Sequence, residues 1–240
     1  MYFGRVLLVT VKRGKIIMTK RLFFEAIVKY VLGVLLVGLL IFWPAGTLAF
    51  PGGWLLMGLL FVPMLGAGIV MMVKDPALLA KRLNAKEKAH EQGLVVKLSG
   101  LMFVVGFVVA GLHFRFGWYA LPRPVVIVAS VLFLVGYLLY AEVLRENAYL
   151  SRTVEVQEGQ RVIDTGLYGV VRHPMYAATL LLFLSMPLVL GSIWSFLVFL
   201  VYPILIVQRI RHEEGFLTQA LDGYCAYTQK VKYRLIPFIW

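Results

Sequence analysis

The stretch AIVKYVLGVLLVGLLIFWPAGTLAF, residues 26–50, carries one charged side chain, Lys29. A helix needs about 20 predominantly apolar residues to cross the ~30 Å hydrocarbon core of a bilayer. Five more apolar stretches follow at Trp54–Val73, Leu98–Leu112, Val125–Ala141, Met175–Leu190 and Ile193–Ile210. The third and fifth are short for a full crossing. Gly191-Ser192 separates the last two, which predicts a tight helical hairpin that need only dip into the bilayer. Helices are the expected form, because lipid offers no partner for a backbone N–H or C=O left outside its own segment. A membrane barrel would need short alternating strands, and no such alternation occurs. The pattern predicts an all-α integral membrane protein of about five to six transmembrane helices, ending in a helical hairpin and a polar tail.

Composition agrees. Hydrophobic residues make up 61% of the chain and charged residues 15%, with mean hydropathy +0.85. Soluble domains lie nearer half apolar and a quarter charged. The net charge of +12 could suggest nucleic acid, but its distribution excludes that reading. Of the 24 Lys and Arg residues, 22 fall in the N-terminal flank, in residues 74–97, in 142–174 and after Ile206. Only Arg115 and Arg123 lie in the intervening loops. That bias predicts both termini and the long polar loops in the cytoplasm, with the bilayer as partner and the cell membrane as location. The single cysteine, Cys225, excludes an internal disulfide and a cysteine-rich metal site.

Three regions follow. Residues 1–25 form a cytoplasmic flank, in which Met18 would make an ordinary start and Met1–Ile17 reads as an upstream-start extension. Residues 26–141 are apolar spans joined by plain loops. Within them, residues 74–97 suggest a solvated amphipathic helix with Leu78, Leu79, Leu83 and Ala89 on one side. His90 has no partner pattern, and His113 lies among Phe114, Phe116, Trp118 and Tyr119 as one residue of an interfacial aromatic belt. Residues 142–240 are different: their polar side chains recur at specific spacings. A polar segment with alternating Val154 and Val156, and then Val162 and Ile163, turns at Glu158-Gly159-Gln160.

In Arg172-His173-Pro174-Met175-Tyr176, Pro174 is expected to start a helix, since proline's missing N–H costs nothing in the first turn. His173 then sits at or near the N-cap. The free N–H groups beyond it suit an anion such as a carboxylate. The same string also fits an interfacial Arg-His-Tyr anchor. Arg209 and Glu213 are i,i+4 and share a helix face. They read either as a surface ion pair or as functional charges at a membrane mouth. His212 points elsewhere on that helix and is expected to be solvated. The tail, with Tyr224, Tyr227, Arg234 and Pro237, reads as a short helix followed by an extended segment.

Together and in this order, these elements resemble the isoprenylcysteine carboxyl methyltransferase family and its phospholipid methyltransferase relatives. The matching pattern is Gly166-Leu-Tyr168-x-x-x-Arg172-His173-Pro174-x-Tyr176, a helical hairpin, Arg209-x-x-x-Glu213-Glu214, and a closing Gly-Tyr-x-x-Tyr…Arg-Leu-x-Pro. It covers roughly Asn147–Pro237. One departure is Ala177-Ala178, where the family often has glycine. The resemblance implies that residues 142–240 form an S-adenosylmethionine-binding methyltransferase region with a cytosolic cofactor-binding tail. It assigns cofactor contacts to Gln160, Arg161, Val162, Ile163, Tyr168, His173, Pro174, Met175, Tyr176 and Glu213. Arg209 would face the acceptor, and Arg209 and Glu213 would form the catalytic pair, with no metal. The implied acceptor is lipid-like or small and apolar: a prenylcysteine carboxylate, with a phospholipid amine or small thiol as alternatives. A nicotinamide-dependent, sterol-reductase-like enzyme is the competing class.

Overall fold

The computed structural model describes residues 9–12, 15–83, 90–147, 149–150, 156 and 159–240. A short antiparallel hairpin pairs β1 (Val9–Lys12) with β2 (Lys15–Met18). Every later regular element among the described residues is helical. These are α1 (Lys20–Ala45), α2 (Pro51–Lys74), α3 (Pro76–Leu83), α4 (His90–Arg115) and α5 (Arg123–Glu146). A 3₁₀ turn at Gly166–Gly169 leads to α6 (Pro174–Val189), α7 (Ile193–Phe199), α8 (Val201–Ala220) and α9 (Tyr224–Lys230). The predicted features at Ala89, Val154 and Glu158, and most of the proposed N-terminal extension, lie outside the described residues.

Among the described residues, five segments are long and apolar enough to cross a membrane: Lys20–Ala45, Pro51–Lys74, Gly93–Arg115, Arg123–Glu146 and Ile193–Ala220. The third stretch, read from sequence as short, is a full helix of 26 residues, because α4 begins in the polar residues ahead of Leu98. The last span is broken at Leu200 into α7 and α8. Pro203 explains the break, since it has no N–H to offer Phe199 O. Helix α6 remains short at 16 residues, or ~24 Å at 1.5 Å per residue.

Local chemistry sets the helix ends. Thr19 Oγ1 caps α1 by accepting from Leu22 N–H, and Gly46 ends that helix in the left-handed conformation (φ 69°). Proline stands in the first turn of α2, α5 and α6. Ser192 caps α7 through Ser195 N–H.

The helices pack around an aromatic core in which Phe103, Phe107, Phe183, Phe199 and Tyr202 meet edge to face or tilted. Helix α5 lies directly on α6 because Gly136 has no side chain there; a Cβ would stand 2.9 Å from Leu182 Cγ. In α2, Pro63 removes one intrahelical donor, and two phenols bond the neighbouring carbonyls. Tyr137 OH donates to Leu60 O at 2.6 Å and Tyr30 OH to Phe61 O at 3.1 Å. Apolar side chains such as Val62, Leu138 and Ile204 face outward, as a lipid solvent requires.

Leu121 N–H donates to Gly191 O, and Ala120 bridges Ser192, so the α6–α7 corner lies beside the α4–α5 corner. His113 belongs to this junction and not to an exposed belt. Its ring is buried, 2.7 Å from Ser192 Oγ and 3.2 Å from Trp118 O. Phe116, Trp118 and Tyr119 do remain exposed. At the opposite end, Leu79 of α3 packs on Leu22 and Ala26, so the predicted amphipathic helix is docked on α1. That end also holds the start of α6 and the end of α8, and with them the candidate site.

Candidate functional site

The site is built where the chain re-enters the bundle after α5. Glu146, at the end of α5, accepts Leu167 N–H at 3.0 Å and fixes the 3₁₀ turn. Gly166 has φ 51°, which favours glycine, and a Cβ there would displace the Glu146 carboxylate. Tyr168 is buried in that turn. Its hydroxyl accepts from Asn147 Nδ2 at 3.0 Å, and its carbonyl accepts from Tyr227 OH at 2.7 Å. Burial pushes the Tyr168 phenol up to about 12, so it stays neutral at physiological pH. Burial likewise raises Tyr224 and Tyr227.

The next residues bind the tail. Arg172 N–H donates to Tyr233 O at 2.9 Å and His173 N–H to Arg234 O at 2.8 Å, laying residues 233–234 alongside the start of α6. The Arg172 guanidinium donates through one terminal nitrogen to Val231 O at 3.0 Å and Thr228 O at 3.3 Å, carbonyls at the end of α9. Its Nε donates to Glu214 Oε1 at 2.7 Å. Arg234 Nε donates to Glu214 Oε2 at 2.7 Å, and His173 Nε2 lies 3.3 Å from Oε1. Glu214 therefore joins α8, the start of α6 and the tail. Further out, Lys230 Nζ meets Asp164 Oδ2 at 2.6 Å and lowers that carboxyl's pKa.

One residue earlier on α8, Glu213 points the other way. Tyr176 OH donates to Glu213 Oε2 at 2.5 Å, and Arg209 Nε donates to the same phenol oxygen at 2.9 Å. Deeper in the bundle, Tyr202 OH donates to Thr179 Oγ1 at 3.0 Å. His173 is the N-cap of α6 and makes no side-chain cap bond. Its ring stacks on Tyr176 instead, 5.7 Å between centroids.

All eleven residues singled out from the sequence line one cavity: Gln160, Arg161, Val162, Ile163, Tyr168, His173, Pro174, Met175, Tyr176, Arg209 and Glu213. Asn147, Arg172, Leu217, Leu221, Tyr224 and Tyr227 complete much of its wall. His212 is outside this lining and is partly buried, not solvated. Sequence reasoning gave no part to Glu214, Glu146 or Asn147. The adjacent pair Glu213-Glu214 was the available signal, since neighbours 100° apart on a helix face different surroundings.

Residues 124–222 match the phospholipid methyltransferase family model. The match begins in α5 and ends just before α9, so it contains the cavity's α6 and α8 walls. The chain is also similar to a Delta(14)-sterol reductase of Mus musculus, with 30% identity over 91 residues, or 37% of this chain. It spans about a fifth (22%) of that relative's length.

Chemically, the cavity combines a carboxylate (Glu213), a guanidinium (Arg209), phenols and an apolar wall from Val162, Ile163, Leu217 and Leu221. The start of α6, His173 to Tyr176, lines it. This set suits a zwitterionic or cationic nucleoside ligand: hydroxyl or amine groups for Glu213, a ligand carboxylate for the helix start, and a flat ring for the apolar wall. Among the described residues, no group of three or more His, Cys, Asp or Glu is placed to hold a metal ion.

Proposed function

We propose that this cavity binds S-adenosylmethionine and that the protein methylates an apolar, membrane-dissolved acceptor. The observation that carries the reading is convergence. Residues 160–163, Tyr168, residues 172–176, Arg209 and Glu213, far apart in the chain, line a single cavity within a segment matching a methyltransferase family. When bound, the cofactor supplies a methyl group activated by its positive sulfur. Catalysis then requires alignment and exclusion of water more than covalent help.

In this reading Glu213 holds the cofactor's hydroxyl or amine groups, while Gln160–Ile163 follow it mainly through backbone. Tyr168 and the start of α6, His173 to Tyr176, enclose it. Arg209, one turn deeper on α8 than Glu213, faces the acceptor. Because α6 is shorter than the hydrocarbon core, its start lies below the headgroup level if its far end reaches the opposite interface. That depth lets a greasy acceptor enter sideways from the bilayer while the polar cofactor enters from water. The distribution of Lys and Arg supports a cytoplasmic location for this end. Arg209 suits a prenylcysteine-type carboxylate, which needs no general base; a phospholipid amine or small thiol would have to arrive deprotonated.

The second reading, a nicotinamide-dependent reductase, draws on the similarity to the sterol reductase. Its cofactor's phosphates would call for uncommitted cations. The lining arginines are Arg161, Arg172 and Arg209, and Arg172 is already engaged by Glu214.

Transfer of labelled methyl from S-adenosylmethionine, in proteoliposomes supplied with prenylcysteines, phospholipids or apolar thiols, tests the activity. At least one acceptor should be labelled, with Glu213→Ala lowering the rate at least a hundredfold. No labelling of any acceptor class would count against the proposal.

A further inference from the structure

One phenol lies between the two charges of the cavity. Tyr176 OH donates its proton to Glu213 Oε2 at 2.5 Å, and its oxygen accepts from Arg209 Nε at 2.9 Å. A phenol has one proton to give, so these contacts give it a definite orientation. Both bonds involve an ionised partner, the stronger class of hydrogen bond. The ring itself has little freedom. It is buried, with 5% of its surface exposed, stacked on His173, and the Arg209 guanidinium carbon stands 5.9 Å from its centroid. His173 in turn is placed by Glu214.

Arg209 and Glu213 belong to the same helix face, yet they communicate through a side chain of another helix. Any ligand that draws the Glu213 carboxylate changes what the phenol can donate to, and so changes the oxygen that receives Arg209. Hydrogen-bonded chains polarise one another in this way.

We infer that Tyr176 is a positioning residue that couples the two halves of the cavity, so that a ligand on Glu213 sets Arg209 for an anionic, membrane-dissolved partner. The inference rests on the proposed assignment of Glu213 to the cofactor and Arg209 to the acceptor. It adds that the two subsites are energetically linked and names the atom that links them. Linkage is reciprocal: each ligand must tighten the other by the same factor.

Calorimetric titration of the detergent-purified full chain tests this, with S-adenosylhomocysteine as one probe and an isoprenyl thioether carboxylate as the other. In the wild type each probe should strengthen the other about tenfold. Tyr176→Phe keeps the ring and its stacking. It retains the ring that walls the cofactor and loses only the hydroxyl, so S-adenosylhomocysteine affinity should fall less than in Glu213→Ala, with the coupling factor reduced to about one. If Tyr176→Phe does not fold, the uncharged methyl ester of the same thioether is titrated into the wild type. With no anion for Arg209, its coupling factor with S-adenosylhomocysteine should be about one, and coupling equal to that of the carboxylate would overturn the inference.

Undiminished coupling in the variant would overturn the inference, as would a wild-type factor of one. A collapse of S-adenosylhomocysteine binding in Tyr176→Phe as large as in Glu213→Ala would also overturn it, by making the Tyr176 hydroxyl, and not its ring alone, a direct cofactor contact. Failure of the wild type to bind S-adenosylhomocysteine at all is a separate result. It would remove the cofactor assignment itself, and the coupling with it.

Discussion

Glu214 accepts from Arg172 and Arg234 at 2.7 Å each, while Glu213, the next residue, meets Tyr176. The two carboxylates have separate duties, one holding the tail and one facing the cavity. The Arg172 side chain is 7% exposed and that of Glu214 12%, so this pair is largely out of water; Arg234 is 38% exposed and adds less. Removing one partner of a buried pair strands the other and costs about 3 kcal/mol. Glu214→Gln should therefore lower the apparent Tm in detergent by roughly 6–12 °C, given ~2–4 °C per kcal/mol for a chain of this size. The same variant should weaken ligand binding by freeing residues 231–234 from the start of α6. An unchanged Tm would mean that Glu214 does not hold the tail. Sequence alone displayed both glutamates but not this division, which depends on Arg172 at the start of α6 and Arg234 of the tail each meeting one oxygen of Glu214.

At the scale of elements, tertiary partners decide how the proline-bearing helices are tolerated. Pro63 leaves α2 short of a donor in a setting where water cannot substitute, and Tyr137 of α5 and Tyr30 of α1 bond Leu60 O and Phe61 O, the two carbonyls following the one left without its helical donor. Tyr137→Phe should cost about 1 kcal/mol, within the range of single hydrogen bonds between membrane helices. Its Tm should fall by a few degrees while ligand affinity holds, because Tyr137 does not line the cavity. A loss of binding without a loss of stability would contradict that structural role. The sequence showed Pro63 inside an apolar run, but its tyrosine partners lie 31 and 77 residues from the carbonyls they bond. Similarly, Gly191-Ser192 was readable as a corner, whereas the break at Leu200 requires tracing Pro203 back to the carbonyl four residues earlier. The start of α4 was missed because residues 90–97 are too polar to read as part of a span.

At the scale of the molecule, the membrane class was legible because it depends on composition and run length, which need no tertiary information. The candidate set was legible through a family resemblance, carried by the spacing of Tyr168, His173–Tyr176, Arg209 and Glu213, which implied Gln160–Ile163 as well. The fold adds that these residues share one cavity. It also adds that the cavity lies at the end of the bundle where α6 starts and α8 leaves. Helices α1–α4 fall outside the matched segment at residues 124–222, and they contribute the core on which α6 and α7 rest.

The central claim is that this cavity takes a sulfonium nucleoside and not a dinucleotide. Calorimetric titration of S-adenosylhomocysteine and, separately, NADPH into the detergent-purified protein tests it most directly, with Glu213→Ala alongside. The account predicts one S-adenosylhomocysteine bound per chain, at least tenfold weaker in Glu213→Ala, and no heat of binding from NADPH. Binding of NADPH with none of S-adenosylhomocysteine would contradict it and favour the reductase reading.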